Sequence, residues 1–387
     1  MLQRIQSEFH GVSLAGRAGH WDLTLADGQV ARITPSERTG GGLVTPLFVD
    51  RHVHLDKTFT ADRMPRLAGS LNDAIAMMAE DAARWTEDDI RSRALAGLAR
   101  AHAHGTARMR SHVDWQGAET PVAWRVLSDL ACAWRGRVDL ELAALTPLDL
   151  FSLHGEEIAR TVAATGGILG AFVYRNQDLA AKIAEVFELA ERHDLALDFH
   201  VDEGLDPEAR GFDAIVSEAL RRKMGGRVTC GHACALSIRP AAEVTRLLGR
   251  AAEAGIELII LPACNAWLQD ADGPGTPRLR GIAPLKEARA AGVNLAIASD
   301  NVRDGFHPWG DYDMAETFRL GVLLGHLDPG QWLDAVAPGP GLTEGAPADF
   351  IHFHAASLDE MVSRAACART VWRGGNPIAP LIGGNPC

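Results

Sequence analysis

The amino-acid sequence predicts a (β/α)₈ TIM barrel with a small β-sandwich-like domain formed from both termini. Three observations carry that expectation. Eight short apolar segments recur along the middle of the chain. Ala- and Leu-rich amphipathic stretches separate most of them. Polar residues of metal-ligand type stand where the apolar segments run out.

Taken in order, Leu47-Phe48-Val49 precedes His52. Met109 to Val113 follows a helical stretch, Arg91–His104, that Gly105 terminates. Val138 to Leu145, Ile168–Tyr174, Leu195–Val201, Arg227–Cys230, Ile256–Leu261 and Val293–Ala298 read as the remaining strands. Between them lie stretches such as IAEVFELAER and EVTRLLGRAAEAG, whose apolar residues recur at helical spacing. Repeated βα units imply a parallel sheet with helices outside it, and eight of them suggest closure into a barrel. The alternative, a doubly wound sheet, lacks a GxGxxG after the first strand. The ends differ: FHGVSLAG and WDLTLADGQVARIT near the start, and ADFIHFHAASL and RTVWRGGNPI near the finish, are short β-like runs. Residues 1–45 and 336–387 are therefore expected to form one small β domain, and residues 46–335 the barrel.

The chain has 387 residues, enough for one barrel and an appendage, and a formal net charge of -12. A surface that acidic repels phosphate backbones, and no local basic patch offsets it, which argues against nucleic-acid binding. No apolar run is long enough to span a membrane, and MLQRIQSEFHGVSLAG lacks a signal-peptide core, so a cytoplasmic protein is expected. Its partner is expected to be a small-molecule heterocyclic substrate, with self-association into a homo-oligomer left open. Cys132, Cys230, Cys234, Cys264, Cys367 and Cys387 form no CxxC pair and read as buried free thiols in a reducing compartment.

The chemistry gathers at strand ends, where barrels place their active sites. FVDRHVHLDK sets His52 and His54 two apart on a strand, so both rings share one face and can bind one metal. Two other pairs read differently. His102 and His104 end a helix, where dipole capping or solvent exposure explains them better. His352 and His354 lie on a strand of the small end domain without polar companions. LALDFHVDEG places His200 after the fifth strand with Glu203 three residues on, pairing an ion-holding group with a proton-moving one. RVTCGHACAL brings His232 to the end of the sixth strand, and NLAIASDNVRD brings Asp300 and Asn301 after the eighth. Any one of these alone is a loop histidine or an Asx turn. Four such strand ends in barrel order point to one site.

These stretches, together with LQDADGPGTPRLRGIAPLKEARAAGVNLAIASDNVRD and HPWGDYDM, resemble the amidohydrolase superfamily and, within it, the cytosine deaminases, from roughly Phe48 to Met314. The resemblance implies one divalent metal ion on His52, His54, His200 and Asp300. It implies a proton shuttle at Glu203 and a histidine, His232, that assists the metal-bound water, with Asp300 sharing in orienting that water. Binuclear relatives carry a carboxylated lysine at the end of the fourth strand. GILGAFVYRNQD has no lysine until Lys182, which favours one ion. A His₃Asp set with an open position suits zinc, and Fe(II) nearly as well.

In the pocket the chain departs from the cytosine deaminases. Where they carry a glutamine after the third strand, LTPLDLF offers Pro147, Leu148 or Asp149. Their second aspartate after the eighth strand is Asn301 here, and the aromatic residue of the next loop is Phe306. Lys57 also differs. It either pairs with a nearby acid such as Asp50 or Asp56 at the surface, or meets an anionic substrate group. Trp267 and Trp309 flank ligand-bearing strand ends and read as packing or stacking residues. Asn301, Phe306, Lys57 and Asp149 are thus the expected substrate contacts. The expected reaction is deamination of a cytosine-like nitrogen heterocycle, metal-bound hydroxide adding to the amino-bearing ring carbon and ammonia leaving. The alternative is opening of a cyclic amide, a lactam or ureide.

Overall fold

The structure is a computed structural model in which residues 7–379 are described. The chain divides into two compact units. One runs up to Val49 and takes in Leu98–Ala107 and the stretch from Tyr312 onward; the other comprises Asp50–Gly97 and Arg108–Asp311.

Four strands come first: β1 (Ser7–Leu14), β2 (His20–Ala26), β3 (Gln29–Pro35) and β4 (Leu43–Thr45). They join three from the other end of the chain, β13 (Phe350–Phe353), β14 (Arg369–Arg373) and β15 (Asn376–Pro377), in the order β15-β14-β13-β4-β1-β2-β3. The sheet is mixed, because β1 pairs parallel with β4 while β1–β2 and β4–β13 run antiparallel. Alternate residues of these strands, among them Val12, Leu14, Leu23, Leu25 and Phe350, form its core. The two histidine pairs set aside in the sequence take structural partners here. His352 Nε2 lies 2.6 Å from the Gly41 carbonyl, and Arg369 donates to His104 Nδ1 at 2.7 Å.

All eight apolar segments of the middle region are strands: β5 (Phe48–Val53), β6 (Thr106–Asp114), β7 (Asp139–Pro147), β8 (Leu169–Val173), β9 (Leu197–Val201), β10 (Val228–His232), β11 (Glu257–Ile260) and β12 (Asn294–Ile297). They lie side by side in chain order. Closure comes from a parallel bridge between Val53 and Asp300, where the Asp300 N–H donates to the His52 carbonyl at 2.9 Å. At this seam the fully buried Asp50 accepts the Ser299 N–H at 3.0 Å and also its hydroxyl. Lys57 therefore does not pair with Asp50, whose oxygens are committed to the seam.

Amphipathic helices connect the strands: α1 (Leu71–Ala82), α2 (Glu87–His104), α3 (Val122–Trp134), α4 (Phe151–Ala164), α5 (Leu179–Arg192), α6 (Gly211–Arg222) and α7 (Ala241–Glu253). α5 shows why they pack. Its buried residues Ile183, Val186, Phe187, Leu189 and Ala190 recur at helical spacing on one face. Phe187 stacks on Phe199 of β9 with ring centroids 5.9 Å apart. α2 stops at His104 because Gly105 takes a φ of +95°, where a Cβ would lie 2.5 Å from Ile351.

Among the described residues, no helix is long and apolar enough to cross a membrane. Cys230, Cys234 and Cys264 are buried free thiols as expected, but Cys132 is exposed and Cys367 half-buried. Cys132 falls on the solvent face of α3, whose buried residues are Ala123, Trp124, Val126, Leu127, Leu130 and Trp134. Cys387 lies outside the described residues.

Gly170 fits closely between its two neighbouring strands. A Cβ there would stand 2.2 Å from the Ala144 carbonyl oxygen and 2.6 Å from that of Asp198, both backbone atoms of adjoining strands. Gly170→Ala is expected to cost about 1–3 kcal/mol of stability by overpacking, measured by urea unfolding. An unchanged midpoint would contradict this packing.

Candidate metal centre

Strand alternation brings the candidate ligands together. On β5 the side chains of Phe48, Asp50 and His52 are buried in turn, and His54 follows just past the strand end. On β9, Asp198 and His200 share a face. The His200 Nε2 atom lies 3.0 Å from His52 Nε2 and 3.3 Å from His54 Nε2. Asp300 Oδ1 is 3.5 Å from His52 Nε2 and 3.2 Å from His54 Nε2. All four side chains are nearly or fully buried. Gly231 makes the room: a Cβ on it would meet the His52 ring at 2.8 Å.

This arrangement is short of protons and charge. Burial, followed by repulsion from neighbouring positive groups, holds His52, His54 and His200 well below the usual imidazole range, so the rings are neutral. A neutral imidazole carries one N–H, and three Nε2 atoms facing each other cannot all be satisfied mutually. Neither Asp300 oxygen meets an N–H or O–H donor, and the Cys264 thiol bonds to the carboxyl. Burial pushes the Asp300 carboxyl up to about 7. The buried His52, His54 and His200, and likewise His52, His232 and Asp300, are clusters of a kind consistent with binding a divalent cation.

Around the cluster stand groups suited to proton transfer. Glu203 is buried, and that burial, reinforced by Asp300, pushes its carboxyl up to about 8. His232 Nδ1 is 3.7 Å from Glu203 Oε1 and 3.0 Å from Asn265 Nδ2. Its Nε2 has no hydrogen-bond partner, and burial lowers its pKa to about 3. One of its nitrogens lies within 4.8 Å of ligand atoms of His52 and Asp300. His232 and Asp300 hold left-handed backbones, φ +70° and +65°. Such strain in non-glycine residues gathers at functional sites.

A cavity of about 910 Å³ opens onto these groups and is lined by His54, His200, Glu203 and His232 together with Lys57, Asn301 and Phe306. Lys57 is buried rather than at the surface and donates to Asp114 at 2.7 Å, while Asp56 accepts the Asp114 N–H at 3.0 Å. The Lys57 ammonium sits 5.4 Å from the Phe306 ring centroid. Asn301 donates to Asp304 at 2.7 Å. Asp149 lines the cavity, is exposed, and pairs with Lys182 at 2.7 Å. Trp267 packs against the apolar cluster around Leu268, and Trp309 is 58% exposed, so neither stands in the cavity wall.

The sequence reading missed a network on the far side of His52. His112 stacks against the His52 ring with centroids 3.9 Å apart. Its Nε2 is 3.2 Å from Asp198 Oδ1, and Arg110 donates to Asp198 Oδ2 at 2.7 Å. Burial alone would raise the Asp198 pKa, but His112 and Arg110 outweigh it and hold the carboxyl below its ordinary value. The signal was the alternation RSHVD, which sets Arg110, His112 and Asp114 on one face of β6.

Comparison with known proteins gives a consistent picture. Residues 87–379 match the profile of the Amidohydrolase family. The chain is 34% identical over 383 residues to a pterin deaminase of Rhizobium rhizogenes, covering 92% of this chain and 87% of that one. Its structure is similar to that of 5-methylcytosine deaminase from Klebsiella pneumoniae liganded with 5-fluorocytosine, with a TM-score of 0.86, 26% identity, and coverage of 96% of this chain and 97% of that one. It is also similar to N-isopropylammelide isopropylaminohydrolase from Burkholderia multivorans, with a TM-score of 0.76, 26% identity, and coverage of 97% and 98%.

Ion binding is expected to stabilise the fold. At a free ion concentration one hundred times its Kd, a divalent metal adds about 2.7 kcal/mol. Chelator-treated protein should therefore melt lower and recover on adding zinc or Fe(II), as read by calorimetry. Gly231→Ala, which displaces His52, should shrink that recovery. A melting temperature indifferent to chelator and metal would contradict the fit.

Proposed function

We propose, from the premise that this chain belongs to the amidohydrolase family and is a hydrolase acting on carbon–nitrogen bonds, that it hydrolytically deaminates an amino-substituted nitrogen heterocycle of pterin-like, two-ring size. The observation that carries this reading is the cluster of buried histidines and Asp300 beside a cavity whose wall holds the buried Glu203 and His232. The likeness to a pterin deaminase and to 5-methylcytosine deaminase supports an amino-bearing ring as substrate. The cavity volume, about 910 Å³, lies near the top of the range for small-molecule sites and suits a ring system larger than cytosine.

In this reading His52, His54, His200 and Asp300 hold one ion, zinc or Fe(II). A bound divalent ion supplies water whose pKa falls from 15.7 toward about 7. Glu203, its carboxyl pushed up to about 8, donates to the ring nitrogen beside the amino-bearing carbon. It then takes up the proton released from the added water and carries it to the departing amine, which leaves as ammonia, and the next water restores the proton of Glu203. His232, fixed by Asn265 through Nδ1, presents Nε2 to the attacking water and orients it with Asp300. Phe306 stacks on the flat ring. Lys57, with one of its three N–H groups on Asp114, directs another to a ring carbonyl. Asn301 contributes its amide to the same edge, and Asp149 lines the cavity.

The test is incubation of metal-loaded protein with pterin and other aminated heterocycles, assaying ammonia and product mass. Ammonia with an intact ring is expected. A product heavier by one water, without ammonia, would replace deamination with ring opening. Glu203→Gln is expected to keep its metal and lose turnover by about 10²–10⁴-fold. Turnover near that of the unaltered protein would remove Glu203 from the proton path.

A further inference from the structure

The cavity reaches well beyond the proton-transfer groups, and its outer arm has a distinct chemistry. α1 turns Leu71, Ile75, Met78, Ala79 and Ala82 toward it. Their spacing places them on one helix face, so the wall is a continuous apolar stripe. Trp85 and Ile90 extend it past the helix end, and Pro121, Val122 and Ala123 at the start of α3 also line the arm. Ile75 and Val122 keep 39% and 38% of their surface exposed although both line the cavity. Ala79 and Ala82 are exposed as well, and their short side chains leave space beside the larger ones.

The charges in the same lining are one-sided. Besides Glu203 they comprise Asp56, Asp114, Glu119 and Asp149, against Lys57 as the one lysine or arginine; Lys57 is held by Asp114, and Asp149 is paired with Lys182. A negative group entering the arm would leave water for an apolar wall beside lysines, Lys57 and Lys182, that are already paired with carboxylates. A neutral hydrocarbon group entering it would cover the exposed Ile75, Ala79, Ala82 and Val122 and gain the ordinary benefit of apolar burial. A two-ring heterocycle seated at Phe306 and Glu203 leaves this part of the volume for whatever the ring carries.

We propose that the arm receives a neutral, apolar substituent on the heterocycle, and that the protein discriminates against substrates bearing an anionic substituent in that place. The inference rests on the deamination reading above and adds which heterocycles are taken.

The experiment compares kcat/KM for pterin, a 6-propyl pterin and a 6-carboxy pterin, using the metal-loaded full chain. The 6-propyl compound is expected to exceed the 6-carboxy compound by about 10-fold or more, the scale on which a hydrophobic pocket separates ligands. Ile75→Lys places a cation on the exposed stripe and is expected to lower that ratio by about 10-fold. Ala79→Trp, on the same face, fills the arm and should depress the 6-propyl compound relative to pterin. A 6-carboxy pterin processed as well as the 6-propyl compound would overturn the inference and leave the deamination reading standing. So would ratios that neither substitution changes. If none of the three pterins releases ammonia, the proposed reaction fails, and the inference fails with it.

Discussion

Three imidazoles and a carboxylate, all withdrawn from water and aimed at one point, are the constraint on which the rest of this protein depends. They arrive from β5, β9 and the end of β12, so they meet only if the barrel closes. Closure and ligand placement are the same event, because the Asp300 N–H that seals the seam to His52 belongs to a ligand candidate and bonds to the backbone of another. Without a cation the arrangement is costly. Asp300 is driven toward its protonated form and the rings toward neutrality, since desolvation disfavours each charge. A divalent ion reverses that balance and couples metal binding to folding. Supporting groups share the load: His112 lies against the His52 ring, Asp198 faces His112 and is held by Arg110, and Gly231 keeps the space clear. Such outer partners typically matter by 10–100-fold in metal affinity.

Much of this was legible in the sequence for physical reasons. Buried parallel strands are short apolar runs, and LALDFHV or VNLAIAS announces itself against the amphipathic helices beside it. The candidate ligands stand out because His and Asp at strand ends have no packing reason to be there. What stayed hidden depends on contacts between residues far apart in sequence. Arg110 and Asp198 are 88 residues apart, and Lys57 and Asp114 are 57 apart. A basic residue beside Asp56 offers no hint that its partner comes from another strand, or that it is buried. Gly231 reads as an ordinary strand glycine until the His52 ring is seen to occupy the place of its side chain.

The pocket follows a different logic from the centre it serves. The inner wall is polar, with His232, Asn301 and Lys57 each held by a named partner and the Glu203 carbonyl accepting from Gln269 at 2.6 Å. Preorganisation of this kind favours reaction, because the groups need not reorient as charge develops. The outer wall is apolar and belongs to α1, the loop beyond it and the start of α3 rather than to the barrel strands. Barrel folds commonly divide labour in this way, chemistry at strand ends and selectivity in the connecting segments.

The central claim is that these four side chains hold a single ion. Metal analysis combined with X-ray absorption at the metal edge of the purified protein tests it most directly. The account predicts about one zinc or iron per chain, with a first shell of nitrogen and oxygen donors at about 2.0–2.2 Å, disrupted by His200→Ala. Two ions per chain, a sulfur-containing shell, or a shell unaltered by that substitution would contradict it.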